Sequence, residues 1–308
     1  MPPLTTAQFP DSLDARFTKL FFDRYRDVPD MIAEFFDVGG LVGPQRHEVR
    51  YSEVGAFGDL PELEDGSSLV YDDVFEGYTS TIAFKQYASG FQVARTLFED
   101  EQYGIMDRLP AGLGSAAART KQKHAATLFN NAFGLDTTWL TRGEGLALCS
   151  NSHTTTSGAS TASGFDNLLT AALSAVSLQA AKIQMGYFRD DRANLIDLTP
   201  DTLITPIDLE ETAYELIASA GKVDTANNNA NIHKGRYTHK QWVRLTDVNN
   251  WFLADASKTK QDFKFVNRVG VEMAMVEDFD NFTGRWRIRQ RYGLGWVDWR
   301  GILGSQVS

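Results

Sequence analysis

The segment that most constrains this chain is GRWRIRQRYGLGWVDWRGIL, residues 284–303. From Arg285 to Tyr292 it alternates with a period of two: Arg285, Arg287, Arg289 and Arg291 point one way, and Trp286, Ile288, Gln290 and Tyr292 the other. That is the periodicity of a β-strand with one largely apolar face. Four guanidiniums along one strand face repel one another unless anions lie opposite. The anions are either nucleic-acid phosphates or carboxylates of protein origin.

Composition weighs on that choice. The net charge is −10 over 308 residues. General nucleic-acid binders rely on an excess of basic residues. The arginine strand has Trp286 and Tyr292 nearby, and basic residues interleaved with aromatics mark single-strand binding faces. On a strand, however, these aromatics face away from the arginines, so one surface cannot both pair phosphates and stack bases. Apolar residues make up 43% and charged residues 23%, as in an ordinary globular protein. The single Cys149 rules out an intrachain disulfide framework and fits a reducing compartment. No secretory signal is visible at the start, and no uncharged apolar run reaches the roughly 18 residues of a membrane span.

Residues 1–45 read as an arm: Asp11 caps a helix with Leu13, Phe17, Leu20 and Phe21 on one face, and Pro29 opens a shorter piece carrying Ile32, Phe35 and Phe36. A neighbouring subunit could cover that stripe. Residues 47–54 and 77–93 read as extended stretches. From Tyr51 to Phe84 lie eight acids (Glu53, Asp59, Glu62, Glu64, Asp65, Asp72, Asp73, Glu76) and no Lys or Arg. This is either a long acidic hairpin arm or a solvated acidic loop. Pro110, Gly112 and Gly114 predict one helix ending near Leu109 and another from about Ser115 to Ala132. Residues 149–164 form a Ser/Thr loop, and Ser163 with Asp166 predicts a capping box before a helix carrying Phe165, Leu168, Leu169, Ala172, Leu173 and Val176. Thr205 reads as an N-cap ahead of a helix closed by Gly221. Strands are expected at 241–246 and 250–254, then a long antiparallel pair from 262–276 into the arginine strand. Such an order is α+β.

Catalytic signatures are weak. Cys149 and His153 are four apart in a loop with no orienting third group, and His233 and His239 read as exposed loop histidines. Glu277-Asp278-Phe279-Asp280 fails the calcium-loop pattern, and Gly293-x-Gly295 lacks a third glycine. No catalytic, metal or cofactor site is expected. The base-free acids and the arginine strand instead suit each other, because arginine pairs carboxylates in bidentate geometry. An arm of about 30 Å finds a neighbouring subunit's arginine strand more easily than its own. The expected inter-subunit interface is Glu62, Glu64, Asp65, Asp72, Asp73 and Glu76 against Arg285, Arg287, Arg289 and Arg291.

Three segments, in order, resemble tailed-bacteriophage major capsid proteins of the Hong Kong 97-type fold, particularly the Mu-like major head subunits: YGIMDRLPAGLGSAAARTKQKHAATLFNNAF (103–133), GEGLALCSNSH (143–153) and RWRIRQRYGLGWVDWRG (285–301). The resemblance implies an N-terminal arm (1–45), an extended β-loop (46–90), a peripheral domain with a long spine helix (91–140 and 262–293) and an axial domain (141–261 and 294–308). It implies a non-enzymatic subunit that assembles as hexamers and pentamers into an icosahedral head around double-stranded DNA, located in the virion and assembled in the host cytoplasm. Separate scaffolding and portal proteins, with a decoration protein in some heads, would be partners; no membrane is involved. Some family members cross-link a loop lysine to a neighbour's asparagine. Here Tyr51 to Phe84 holds no lysine, so no cross-link is expected. An encapsulin-like nanocompartment shares the fold and is the alternative; a nucleic-acid-binding protein using the arginine strand is the remaining one.

Overall fold

The structure is a computed structural model and describes residues 9–39, 47–66, 68–69, 71–94, 96–97, 100, 104–221, 230–278 and 283–307. Its spine is a four-stranded sheet built on the long antiparallel pair β10 (Phe263–Asp278) and β11 (Thr283–Trp296). Strand β4 (Lys85–Ala94) lies antiparallel on the far side of β11, and β1 (Asp37–Gly39) runs parallel to the start of β10. The expected alternation is present: Trp286, Ile288, Gln290 and Tyr292 are buried, Arg285, Arg287 and Arg289 are exposed, and Arg291 is half-buried.

Two helices cover the apolar face. Helix α1 (Phe9–Arg26) places Phe17 5.2 Å from the Trp286 ring, and Phe21 packs with Ile288 and Ala117. At Phe17 and Phe21 the stripe is therefore covered by its own chain, not by a neighbour. The helix also begins at Phe9, so Asp11 lies inside it. After it, α2 (Ile32–Phe35) buries Ile32 and Phe35. Helix α3 (Ile105–Asn130) runs unbroken through Pro110, Gly112 and Gly114. Pro110 sits in the second turn, where its missing N–H costs one hydrogen bond. Gly114 is required by packing: a Cβ there would lie 2.4 Å from the Phe21 carbonyl oxygen, so its absence lets α1 approach α3.

Strands β2 (Glu48–Val54), β3 (Glu76–Ala83) and β5 (Leu140–Arg142) form a second sheet in the order β2-β3-β5. The stretch expected as one strand over 77–93 thus breaks at Phe84 into two strands of different sheets. Residues 55–66 and 71–75 run between β2 and β3 without regular structure.

The third sheet has the order β6-β12-β9-β7-β8, with β6 (Leu168–Leu169), β7 (Thr202–Thr205), β8 (Thr238–Gln241), β9 (Trp251–Ala254) and β12 (Ile302–Ser305). Every residue of β7, β9 and β12 is buried, the signature of strands covered on both faces. Helix α4 (Ala175–Gly186) and helix α5 (Glu210–Ala218) pack on this sheet, and α6 (Ala256–Asp262) leads into β10. The helix expected after Ser163 is absent. Leu168 and Leu169 pair with β12, and the capping box forms at Ser174 and Ser177 ahead of α4. Ladder pairing with a fully buried strand outweighs local helix propensity here. Thr205 ends β7 and bonds His239 Nε2 at 2.8 Å rather than capping α5, which ends three residues before Gly221. Strand β8 ends at Gln241, and residues 242–246 are irregular with a turn at Val243–Arg244.

Candidate assembly surface and the anchor of the arm

The arginine face has few charges of its own around it. Across from Arg285, Arg287, Arg289 and Arg291, β4 presents Gln92, Gly90, Ala88 and Gln86, and β10 presents Val276, Ala274, Glu272 and Val269. Arg285 pairs with Asp278 at 2.9 Å, and the Arg291 guanidinium lies 6.0 Å from the Phe84 ring centre. Among the described residues, Arg287 and Arg289 form no ion pair, and the small side chains of Gly90, Ala88 and Ala274 leave them open to solvent.

On the acidic side, Glu62, Glu64, Asp65, Asp73 and Glu76 are exposed. Asp72 is exposed too but already engaged: its Oδ1 meets Arg192 Nη2 at 2.8 Å and its Oδ2 accepts the Gly58 N–H at 2.8 Å. The Gly58 hydrogen bond, with Arg192 adding to it, holds the Asp72 carboxyl below the usual range. No ion pair among the described residues joins these acids to the four arginines of the same chain.

Another acid of this stretch, Glu53, belongs to a cluster not evident from the sequence. At the foot of the arm it bridges two buried arginines: Arg300 Nη1 donates to its Oε1 at 2.5 Å and Arg142 Nη2 to its Oε2 at 3.0 Å. Arg300 also reaches Asp191 Oδ1 (2.8 Å), Asp298 Oδ1 (3.0 Å) and the carbonyl of Arg189 (2.7 Å), and it stacks 5.0 Å from the Trp299 ring centre. Arg142 reaches Glu144 Oε2 (3.1 Å) and the carbonyl of Val297, and lies 4.6 Å from the Trp296 ring centre. Lys258 closes the cluster between Asp262 (3.2 Å) and Asp298 (3.4 Å). Most of the guanidinium donors thus have acceptors, which is what makes buried charge tolerable.

The carboxylates of this cluster are driven apart. Burial raises Glu53 and the nearby Asp298 adds to it; Arg300 and Arg142 only partly offset this, and the net is upward. Burial and Asp298 push Asp262 up to about 7 against the pull of Lys258. Burial opposes ionisation of Asp298 as well, yet Arg300 and Lys258 outweigh it and hold Asp298 low.

Beside the cluster, His153 Nδ1 lies 3.0 Å from Glu144 Oε1, its Nε2 3.2 Å from Asn167 Oδ1, and its ring stacks at 4.3 Å on Trp299. Asn167 ties the Ser/Thr loop down by donating to the carbonyls of Leu148 and Ile302 and accepting the Ser150 N–H. His153 is buried; of the two histidines expected as exposed loop residues, His233 is buried and His239 is half-buried on β8. Cys149 is buried and its thiol is pushed up by burial, so it is inert as a nucleophile. The one signal available in the sequence was Asp298 and Arg300 inside the otherwise apolar run 294–303. Residues 279–282, part of the failed calcium pattern, lie outside the described residues.

The chain is similar in fold to the capsid proteins of bacteriophage PhiM1 (12% identity, TM-score 0.58, 91% of this chain and 88% of that one), of the cyanophage P-SCSP1u (14%, 0.57, 91% and 88%) and of the bacteriophage JBD30 procapsid (17%, 0.53, 98% and 76%). No curated protein sequence matches it. Residues 77–305 match the phage capsid protein family, and the chain belongs to that family. Its fold is the Hong Kong 97 type, and its role is structural: a capsid component that associates with copies of itself.

Proposed function

We propose that this subunit closes into hexamers and pentamers of an icosahedral head around double-stranded DNA, through exchange of its arm between neighbours. In this reading residues 1–45 are the N-terminal arm, 46–90 the extended loop, 91–140 with 262–293 the peripheral domain, and 141–261 with 294–308 the axial domain. The observation that carries it is the pair of charge sets left unmatched within one chain. Arg287 and Arg289 have no ion-pair partner among the described residues, while Glu62, Glu64, Asp65, Asp73 and Glu76 stand exposed on an arm segment without bases. A neighbouring copy supplies each set with the other, and exclusion of water at the contact strengthens the pairing. The same acidity keeps the shell from adhering to its DNA. The family match favours a phage head over an encapsulin-like compartment, and the opposed faces of the arginines and aromatics count against single-strand binding. The protein acts without catalysis, in the virion, after assembly in the host cytoplasm with separate scaffolding and portal proteins. Arg287→Glu with Arg289→Glu tests the interface: soluble subunits that no longer form closed particles by electron microscopy are expected, and unchanged assembly overturns it.

A further inference from the structure

The pairing of β2 with β3 ends at Val54 opposite Glu76, and one more backbone bond, Gly55 N–H to the Phe75 carbonyl at 2.8 Å, follows it. Just past that point a side chain from the third sheet's side of the molecule grips both legs. Arg192 Nε donates to the Ala56 carbonyl at 2.9 Å on the outgoing leg. Its Nη2 donates to Asp72 Oδ1 at 2.8 Å and to the Asp73 carbonyl on the returning leg, and its guanidinium lies 5.3 Å from the Phe75 ring centre. Asp72 then reaches back across to the Gly58 N–H. One guanidinium, with its fixed fork of donors, thus replaces the ladder where the ladder stops.

Arg192 is presented by a tight turn. Asp190 Oδ1 accepts the N–H groups of Arg192 and Asn194, both at 2.8 Å, and the Ala193 N–H bonds the Asp190 carbonyl at 3.1 Å. Ala193 has φ 65°, and among the described residues it is the only non-glycine at positive φ. An alanine in that region costs free energy that the surroundings must offset. The turn sends adjacent residues of opposite charge to opposite tasks: Asp191 inward to Arg300 at 2.8 Å, Arg192 outward to the arm.

We infer that Arg192 is a positioning residue for the arm: it joins the two legs beyond the end of the strand ladder and fixes the direction in which residues 57–66 leave it. The consequence for assembly rests on the arm-exchange reading above; the conformational claim does not. Hydrogen exchange of the full chain separates the two. In Arg192→Ala, the amides of Gly55 and Gly58 and peptides within 55–75 should exchange about tenfold faster, with β9 unchanged. Arg192→Lys, which keeps the charge but not the fork, should recover only part of the protection. Asp72→Asn, which leaves the turn intact, should raise exchange at Gly58 as well. Parent-like exchange at Gly58 in both Arg192→Ala and Asp72→Asn overturns the inference, as does a rise spread equally into β9. Charge reversal at Arg287 and Arg289 leaves this readout unmoved, so failure of the interface and failure of the clasp are told apart.

Discussion

Glu53 and Arg300, 247 positions apart in the sequence, meet at 2.5 Å with neither side chain more than 10% exposed. Their contact joins the foot of the arm to the segment that follows β11. A cluster drawn from residues 53, 142, 191, 258, 262, 298 and 300 ties β2 and β5 to α6 and to the segments around Asp191 and Arg300, with the arm rooted in it.

Removing the central cation should be costly. Arg300→Met leaves Glu53, Asp191 and Asp298 buried without their shared partner, and unfolding free energy should fall by about 3–5 kcal/mol. Urea denaturation checks this; a loss within the scatter of surface substitutions would show that the cluster is slack.

The cluster should also make stability depend on pH. Asp262 is raised to about 7 in the folded chain, against about 4 unfolded. The folded state therefore holds this proton more firmly, and the associated stability is fully present below about pH 4 and is lost as pH rises through about 7. Between pH 5.5 and 8 the loss attributable to this group is on the order of 2 kcal/mol. A cleft of about 520 Å³ lined by Asp262, Asp298 and Lys258 lets the proton exchange without unfolding. Asp262→Asn should flatten the profile and gain most over the parent at pH 8. Melting temperatures across that range decide it, and parallel curves for the two proteins would count against the assignment.

Close approach of α1 to α3 depends on one missing methyl group. Gly114→Ala would place a Cβ 2.4 Å from the Phe21 carbonyl oxygen, a backbone atom that yields only if α1 moves. A destabilisation of about 1–3 kcal/mol is expected, with faster amide exchange across residues 15–26. Substitution at Gly112, where an added Cβ meets nothing within 4 Å, serves as the control.

Assembled shells should carry no covalent bond between subunits. The stretch from Tyr51 to Phe84 has no lysine, and Lys85 lies 5.0 Å over the Trp139 ring at the start of β4. Heat-denatured particles are expected as single-subunit bands on a denaturing gel, and a ladder of multiples would refute this.

Much of the fold was legible where side-chain period alone decides burial. The alternation at 285–292 gave a strand, its two faces and its long partner, because a half-buried strand writes its environment every second residue. Elements whose fate depends on distant contacts were misread. Leu168 and Leu169 have helical neighbours in sequence but a buried strand beside them in space. Pro110 and Gly114 look like breakers, yet one sits near the helix start and the other is needed by α1. The charge cluster was the least legible: Glu53, Arg142, Asp191 and Lys258 carry no mutual spacing, and each alone looks like a surface charge. Only Asp298 and Arg300, lodged among tryptophans, hinted that charge was being buried.

The wide sequence span of that cluster has a consequence during synthesis. Glu53 leaves the ribosome with neither of its arginines, and Arg300 follows 247 residues later. At 5–20 residues per second that interval is on the order of tens of seconds. Arg142 reaches the growing chain after 89 residues, so for most of that interval the foot of the arm has one of its two cations, and the anchor is complete only when the last residues are made.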